Sequence, residues 1–387
     1  MFMPKETADV VIVGGGVIGL AIARALRQRG VPDVVLIERG RLGAEASWAA
    51  GGILGPQVEA DRADDFFQLA CASRDLYPTF ADAVNEESGT DVELDATGTL
   101  YLGFSQEEED ELRRRLEWQT QAGLSVERLN ARETRALEPC ISAKVRCALR
   151  FPNDVQIENR KLLEALAVAN EKLGVRVVTD CKGRAVRVEH GHVRAVETSL
   201  GVVSAPIVVL AAGAWTSLIN SPDASLPAIE IEPVRGQMLC FGARPPISRH
   251  VLYSSRGYLV PRRDGRVLAG STAERVGFEK SVTSEGMNAI KTMALEIAPS
   301  IGSFPLVGSW AGFRPHAADG LPVLGPFAGI EGLFYATGHH RNGILLAPIT
   351  GELIAKAIVE GETPLLLSAF LPGRFAYQKH ECQNPER

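Results

Sequence analysis

The stretch Asp9-Val-Val-Ile-Val-Gly-Gly-Gly-Val-Ile-Gly19 (DVVIVGGGVIG) decides the fold. Its β-branched residues predict a short strand buried on both faces, and the glycines after them predict a tight turn. A helical pattern follows from Leu20 to Arg29, and a second apolar run, Val34–Ile37, ends at Glu38. A strand, a glycine turn, a helix and a strand within about 30 residues predict the first unit of a doubly wound α/β sheet.

The glycines of this turn are spaced to suit a bound dinucleotide. Gly14 permits the turn, Gly16 lets the main chain approach a pyrophosphate, and Gly19 lets the helix pack against the sheet. The N-terminus of the helix offers free N–H groups and a partial positive charge to phosphate. Glu38 stands where a carboxylate binds ribose hydroxyls and disfavours the 2′-phosphate of NADP. The alternative is a glycine-rich turn without a ligand, but the surrounding pattern favours a dinucleotide, either NAD or FAD.

The rest of the chain is predicted to form two structural units, because 387 residues exceed the usual size of one hydrophobic core. Helices are predicted at residues 65–87 with a break near Pro78, 105–122, 159–173, 283–298 and 343–360. Strands are predicted near Leu94, at residues 99–104, 175–178, 186–189, 193–198, 207–210 and 333–336, and repeatedly between 230 and 315.

The composition is that of a soluble globular protein and excludes several classes. Hydrophobic residues make up 45% and charged residues 23%, and the net charge of −6 offers no basic surface for nucleic acid. The six cysteines include no CxxC pair, which favours reduced thiols over a disulfide framework or a metal site. The first residues show neither an export signal nor a membrane span, so we expect a cytoplasmic protein.

The segment Ala46-Ser-Trp-Ala-Ala-Gly-Gly-Ile-Leu54 distinguishes the two dinucleotides. Its main chain is small, apolar and rich in glycine, so it can lie flat against a broad tricyclic ring, although a flexible loop would have the same composition. Here the sequence resembles the glycine oxidase and D-amino-acid oxidase family of flavoproteins, most closely its bacterial branch in thiamine biosynthesis. The resemblance covers DVVIVGGGVIGLAIA at the start, ASWAAGGILGP from residue 46, VVLAAGAW at 208–215, WAGFRPHAADGLPVLG at 310–325 and YATGHHRNGILLAP at 335–348.

The resemblance implies an α/β fold with a Rossmann-like FAD-binding domain and a second, antiparallel-sheet α+β substrate domain. We expect residues 1–85, 146–222 and 326–375 in the FAD-binding domain, 86–145 and 223–325 in the substrate-binding domain, and 376–387 in a polar C-terminal tail. Relatives of this kind are commonly homotetramers, and the same is expected here.

The cofactor implied is FAD. A covalent link is not expected, because Gly52 and Ile53 stand where relatives with attached flavin have a His or a Cys. The implied cofactor-binding residues are Gly14, Gly16, Val17, Ile18, Gly19, Glu38, Arg39, Ala46, Ser47, Gly51, Gly52, Ile53, Ala185, Gly213, His339, Arg341, Asn342, Gly343, Ile344 and Leu345. Of these, Ala185 is expected on the strand after Gly174, with its main chain at the adenine.

Arg314 stands between Phe313 and Pro315 in a segment too apolar for a surface loop, and a charge held there must be paired. Its partner is either a carboxylate of the protein or that of a substrate, which the guanidinium fork binds better than lysine would. The resemblance favours the substrate, because the arginine of the matching motif binds the carboxylate of an amino acid. It also implies that Tyr258 assists and that Arg341 lies near flavin and substrate, although a surface charge at a helix start is the alternative for Arg341.

The activity implied is oxidation of glycine and small amines or D-amino acids, such as sarcosine, D-alanine and D-proline. The products would be an oxo acid, ammonia or an amine, and hydrogen peroxide from dioxygen. Hydride transfer from Cα to the flavin needs orientation and desolvation but no acid or base residue. The alternatives are a dehydrogenase of the same fold that passes electrons to a carrier, and a non-catalytic nucleotide-binding module. The exact substrate is left open, since Ile53, Ala273 and Arg256 differ from the residues expected around such a pocket.

Overall fold

The structure is a computed structural model that describes residues 7–222, 226 and 229–375; the predicted tail 376–387 lies outside them. The strands are β1 (Val10–Val13), β2 (Val34–Ile37), β3 (Ile53–Leu54), β4 (Thr99–Gly103), β5 (Glu127–Asn130), β6 (Cys147–Phe151), β7 (Val155–Gln156), β8 (Arg176–Val178), β9 (Gly183–Glu189), β10 (His192–Thr198), β11 (Gly201–Ser204), β12 (Ile207–Leu210), β13 (Ile231–Gly242), β14 (Val251–Ser254), β15 (Gly257–Pro261), β16 (Arg266–Gly270), β17 (Leu306–Ala317), β18 (Val323–Pro326) and β19 (Leu333–Thr337). The α-helices are α1 (Val17–Gln28), α2 (Ala46–Ala49), α3 (Pro56–Glu59), α4 (Asp65–Ser88), α5 (Gln106–Gln121), α6 (Ala131–Leu137), α7 (Asn159–Lys172), α8 (Ser284–Ile297) and α9 (Gly343–Glu360).

A six-stranded sheet in the order β18-β19-β12-β1-β2-β8 forms the first layer. β1 lies in its middle and pairs in parallel with β12 on one side and β2 on the other. Alternate side chains of β1 point to opposite faces. Val10 and Ile12 join the core that includes α1, α7 and α9, whereas Val11 and Val13 pack with the three-stranded sheet β9–β11. Cover on both faces explains why the strand is an unbroken apolar run.

An eight-stranded sheet in the order β17-β13-β16-β15-β14-β4-β6-β5 forms the second layer. Its longest pair is antiparallel: β13 and β17 are in register from Ile231 opposite Ala317 to Cys240 opposite Gly308, and an irregularity then sets Phe241 opposite Leu306. Helix α8 covers one face, where Ile290 and Met293 share a core with residues of β13 and β15. A mainly parallel sheet beside an antiparallel α+β layer is the fold class expected from the sequence, which is confirmed.

Two predictions from local sequence signals are wrong. The helix expected to break near Pro78 is continuous as α4, because its buried residues on both sides of the proline, including Leu69 and Val84, pack in the main core. That packing outweighs the cost of a proline inside a helix, about 3 kcal/mol, which combines one lost main-chain hydrogen bond with a clash of the ring. The strand expected near Leu94 does not form, and the chain makes only an isolated bridge from Asp95 to Gln156.

The division into two domains stays a proposal. β6 pairs with β4 and β5 in the eight-stranded sheet. We therefore propose that the second segment of the FAD-binding domain starts after Phe151 rather than at residue 146.

The described part of the chain contains no helix that is long and apolar enough to cross a membrane. Nor do its His, Cys, Asp and Glu side chains form a group of three placed to hold a metal ion. Five cysteines lie in this part, at positions 71, 140, 147, 181 and 240, and all five are free thiols.

Candidate active site

One cleft gathers most of the residues predicted to bind a ligand. Together with the solvent space at its mouth it measures about 1740 Å³, and it runs from the carboxyl ends of β1 and β2 to β13 and β17. The predicted residues that line it are Gly14, Gly16, Val17, Ile18, Glu38, Arg39, Ala46, Ser47, Gly51, Gly52, Ile53, Gly213, Tyr258, Arg314, His339, Arg341, Asn342, Gly343 and Ile344.

Three predicted residues do not line the cleft. Gly19 packs under the glycine turn, where a Cβ would lie 1.9 Å from the carbonyl oxygen of Gly14, so its role in close packing matches the prediction. Leu345 lies one residue deeper in α9, and its carbonyl oxygen accepts a hydrogen bond from Ser73 at 2.6 Å. Ala185 lies on β9 rather than on the strand after Gly174, and residues 181–183 line the cleft in its place. Residues 181–183 connect β8 of the first sheet to β9 of another sheet, and no local sequence pattern indicates that they line a cleft.

The glycine turn after β1 has the geometry that a phosphate site needs. Gly14 has a φ of 118°, and a Cβ there would lie 2.3 Å from the carbonyl oxygen of Ala211, so only glycine fits. Gly16 caps α1 in an extended conformation, and a Cβ there would meet only Ser47 Oγ, at 3.3 Å. The two carboxylate oxygens of Glu38 accept the N–H groups of Gly15 and Gly40 at 2.8 and 2.9 Å, which holds this side chain at the cleft.

The segment from Ala46 to Leu54 lines the cleft with all its residues except Trp48 and Leu54. After α2 the chain turns at Gly52, whose φ is 69° and whose carbonyl oxygen accepts the N–H of Ile157 at 2.9 Å. A Cβ at Gly52 would lie 2.1 Å from the carbonyl oxygen of Ile157, and one at Gly51 would lie 3.2 Å from the ring of Tyr258. The two glycines therefore let main chain replace side chains along this wall.

The N-terminus of α9 opens into the same cleft. Asn342 caps the helix without a side-chain hydrogen bond, which leaves the first N–H groups available to a ligand. Helix α4 holds the first turn of α9 in place, because the hydroxyl of Tyr77 donates a hydrogen bond to the carbonyl oxygen of Ile344. Burial lowers the pKa of His339 and of His340 to about 3, so both imidazoles are neutral at physiological pH.

Arg314 is a cation without a carboxylate partner among the residues that the structure describes. Its flanking residues Phe313 and Pro315 are buried in β17, as predicted. Its guanidinium donates to Ser271 Oγ at 2.6 Å and to the carbonyl oxygen of Thr272 at 3.0 Å. Burial lowers the pKa of Arg314, and the remaining N–H groups are available at the cleft. An internal salt bridge, the alternative open at the level of sequence, is therefore not what holds this charge.

A Cβ at Gly236 would lie 2.4 Å from both terminal nitrogens of Arg314. The guanidinium therefore lies against the Cα of Gly236 in β13. Any side chain at position 236 would occupy the space that the guanidinium fills.

Arg341 differs from Arg314 because it already has a partner. Its Nη2 atom lies 3.0 Å from Glu59 Oε1 and donates to the hydroxyl of Tyr253, also at 3.0 Å. The charge of Glu59 raises the pKa of Arg341. Tyr258 stacks on Tyr253, with ring centroids 6.0 Å apart, and its hydroxyl lies 3.4 Å from Ser271 Oγ. Sequence reasoning missed Glu59 and Tyr253, because their partners are remote in the chain.

Replacing Glu59 with glutamine is expected to tighten the binding of acetate, an inert carboxylate, by about two- to fivefold, the range of a partly exposed ion pair. The loss of Glu59's charge would leave Arg341 free to attract the anion. The measurement is an acetate titration followed by the visible spectrum of the flavin. E45Q, which removes a cleft carboxylate paired with Arg39 and Lys280, is the matched control. Unchanged acetate affinity in E59Q would contradict the expectation.

Two of the positions thought to shape the pocket lie elsewhere. Arg256 is exposed and pairs with Glu296, and neither Arg256 nor Ala273 lines the cleft. Only Ile53 of the three does so. The difference at Arg256 therefore says nothing about substrate size.

The cleft fits FAD. The N-termini of α1 and α9 both open into it, and neither first turn contains an acidic residue that would repel a phosphate. Glu38 lies at the end of β2, where a ribose would come. The guanidinium of Arg39 lies 3.6 Å from the ring centroid of Trp215, and this cation–aromatic pair lines the cleft together with Glu38. Gly51 and Gly52, which form the glycine wall, line the same cleft without side chains.

The Rossmann-like sheet and the antiparallel sheet share a ligand cleft, and no carboxylate among the described residues pairs with the arginine that β17 places there. This arrangement is the one expected of the class of flavin-dependent oxidoreductases. The chain belongs to one family within this class. Residues 9–357 match the family model described as DAO, FAD dependent oxidoreductase. The predictions of an FAD cofactor and of an oxidoreductase are thereby confirmed.

Similar proteins are matched over nearly the whole chain. The glycine oxidase of Geobacillus kaustophilus is 35% identical over 365 residues, which cover 94% of this chain and 96% of that protein. Its crystal structure superposes with a TM-score of 0.90 over 96% of this chain and 99% of that one. The bifunctional protein ThiO/ThiG of Synechocystis is 33% identical over 378 residues, which cover 96% of this chain but 54% of that protein.

Proposed function

We propose that the protein catalyses the FAD-dependent oxidative deamination of glycine and small amines or D-amino acids, including sarcosine, D-alanine and D-proline. The observation that carries the proposal is Arg314, a half-buried cation that faces the cleft with no protein carboxylate among its described contacts. The carboxylate of a small amino acid is a partner of matching charge and geometry. The similarity to glycine oxidases supports the same substrate class.

Two residues of the chain would bind and orient this substrate. Arg314 would hold the carboxylate with the N–H groups that Ser271 and Thr272 leave free, and the hydroxyl of Tyr258 would assist. Bound FAD would supply the acceptor for hydride from Cα, and dioxygen would regenerate it with release of hydrogen peroxide. Catalysis then consists mainly of orientation and exclusion of water. The neutral imidazoles of His339 and His340 are poor bases at a pKa of about 3, so no acid or base residue is assigned.

The residues assigned to FAD remain those that line the cleft, and the cofactor is proposed to bind without a covalent link. The similarity to ThiO/ThiG supports a role in forming the thiazole of thiamine. A homotetramer is proposed on the resemblance alone, and a cytoplasmic location on the cysteine pattern.

The test uses the purified yellow protein. Under anaerobic conditions glycine should bleach the flavin spectrum, and in air each turnover should yield hydrogen peroxide and ammonia. Methylamine lacks the carboxylate that Arg314 would bind and should bleach the flavin much more slowly than glycine, whereas glycolate lacks the amine and should not bleach it. Bleaching without peroxide in air would identify a dehydrogenase that passes electrons to a carrier. A flavin that no amino acid bleaches would contradict the proposal and leave a non-catalytic nucleotide-binding module.

A further inference from the structure

Arg262 is an enclosed cation directly behind the cleft, and the proposed reaction does not use it. It follows the last residue of β15 and is 5% exposed. Burial lowers the pKa of Arg262 to about 10, so the guanidinium is charged at neutral pH. A buried charge is costly, and its neighbours should show what it does.

The guanidinium of Arg262 connects Gly51 to residues 156–159, which run from the end of β7 to the first residue of α7. Nη2 donates to the carbonyl oxygen of Gly51 at 2.8 Å and to Asn159 Oδ1 at 3.1 Å. Nη1 donates to Gln156 Oε1 at 3.0 Å and to the carbonyl oxygen of Ile157 at 3.1 Å. Four neutral oxygen acceptors thus surround the guanidinium of Arg262, which follows a strand of the eight-stranded sheet.

The nearest carboxylate compensates this charge only in part. Glu158 Oε1 lies 3.9 Å from Arg262 Nε, and Nε has no hydrogen-bond partner among the described residues. The same carboxylate also accepts the N–H groups of Arg160 and Lys161 and lies 3.3 Å from Arg266. Because Glu158 is shared between several donors, the positive potential of Arg262 extends to the glycine wall.

The contact with Gly51 fixes the direction of one peptide group. In a planar trans peptide the C=O and N–H bonds point in opposite directions. Since the carbonyl of Gly51 points to Arg262, the N–H of Gly52 points to the cleft that both glycines line. This N–H makes no hydrogen bond to a main-chain acceptor among the residues described.

We propose that Arg262 positions the Gly51–Gly52 peptide so that its N–H meets the flavin ring, and that its charge raises the reduction potential of bound FAD. This rests on the proposed placement of the two glycines against the ring. A reduced flavin carries negative charge, which a donor backed by a buried cation stabilises more than it stabilises the oxidised form. Arg262 is thus a positioning residue. An arginine with only a structural role would not change the reduction potential of FAD.

The test is an anaerobic redox titration against reference dyes, which needs no amine substrate and so does not depend on the proposed reaction. Arg262→Met is expected to lower the ratio of affinities for reduced and oxidised FAD about tenfold, which corresponds to about 30 mV for a two-electron couple. Arg262→Lys keeps the charge and should retain most of the potential. It should nevertheless release FAD more readily, because one ammonium cannot reach four acceptors.

Arg263→Met removes an exposed cation one residue away, paired with Asp91, and should leave the potential at its wild-type value. If Arg262→Met does not fold, Arg262→Gln is the second neutral variant and should show the same fall. A wild-type potential in either neutral variant would overturn the proposal. So would a fall in Arg262→Lys as large as in the neutral variants, since the charge would then not be responsible.

Discussion

Replacing Arg314 with leucine is expected to lower kcat/KM for glycine by about 10²- to 10³-fold, the cost of removing one partner from a desolvated charge pair. Most of the loss should appear as a higher KM, because the carboxylate is bound both before and during hydride transfer. For Arg314→Lys we expect a kcat/KM between those of the unaltered protein and of Arg314→Leu. A lysine supplies the positive charge but not the two parallel N–H donors of a guanidinium. Steady-state peroxide production with glycine and with D-proline measures the effect.

The control for this prediction is Arg256→Leu, which removes an exposed arginine paired with Glu296 and should turn over glycine as the unaltered protein does. FAD content must be measured in each variant, so that loss of cofactor is not mistaken for loss of substrate binding. If Arg314→Leu keeps its FAD and oxidises glycine with an unchanged KM, the carboxylate role is wrong.

Replacing Gly16 with valine is expected to abolish FAD binding while leaving the apoprotein folded. Gly16 has a φ of −77°, which any residue adopts, and a Cβ there would meet only Ser47 Oγ. The extra carbons would occupy the space at the start of α1 where the pyrophosphate is proposed to lie. Loss of a helix cap would cost only about 1 kcal/mol. FAD affinity should fall at least about 100-fold, or about 2.7 kcal/mol.

The measurement is FAD binding by fluorescence, together with thermal unfolding with and without added cofactor. The unaltered protein should unfold at a higher temperature when FAD is added, and the variant should not. Gly373→Ala places a Cβ in open space and serves as the control. A yellow Gly16→Val protein with FAD bound as in the unaltered protein would refute the assignment of the phosphate site.

The elements with a strong local pattern were predictable from the sequence. The glycine turn with β1, α1 and β2 formed where the alternation of apolar runs and glycines placed it. The burial of Phe313 and Pro315 on either side of Arg314 was also predictable, because both residues are apolar. Both inferences use residues adjacent in the chain, where a few physical rules decide the outcome.

The remainder of the site depends on residues brought together from distant segments. Glu59 meets Arg341 and Arg262 meets Gly51, and no spacing in the sequence indicates either contact. Ala185 was misplaced for a similar reason, since the chain leaves the parallel sheet after β8 and enters another sheet before reaching the cleft. Such pairings follow from topology rather than from local pattern.

The cleft is enclosed by parts of the chain made at very different times on the ribosome. β1 and the glycine turn are synthesised early, whereas α9, which packs against α1 and opens into the same cleft, begins only at Gly343. At about 5–20 residues per second, tens of seconds separate the two. A nascent chain therefore exposes the part of α1 that α9 covers until α9 has been made, and the cleft is complete for cofactor capture only from that point.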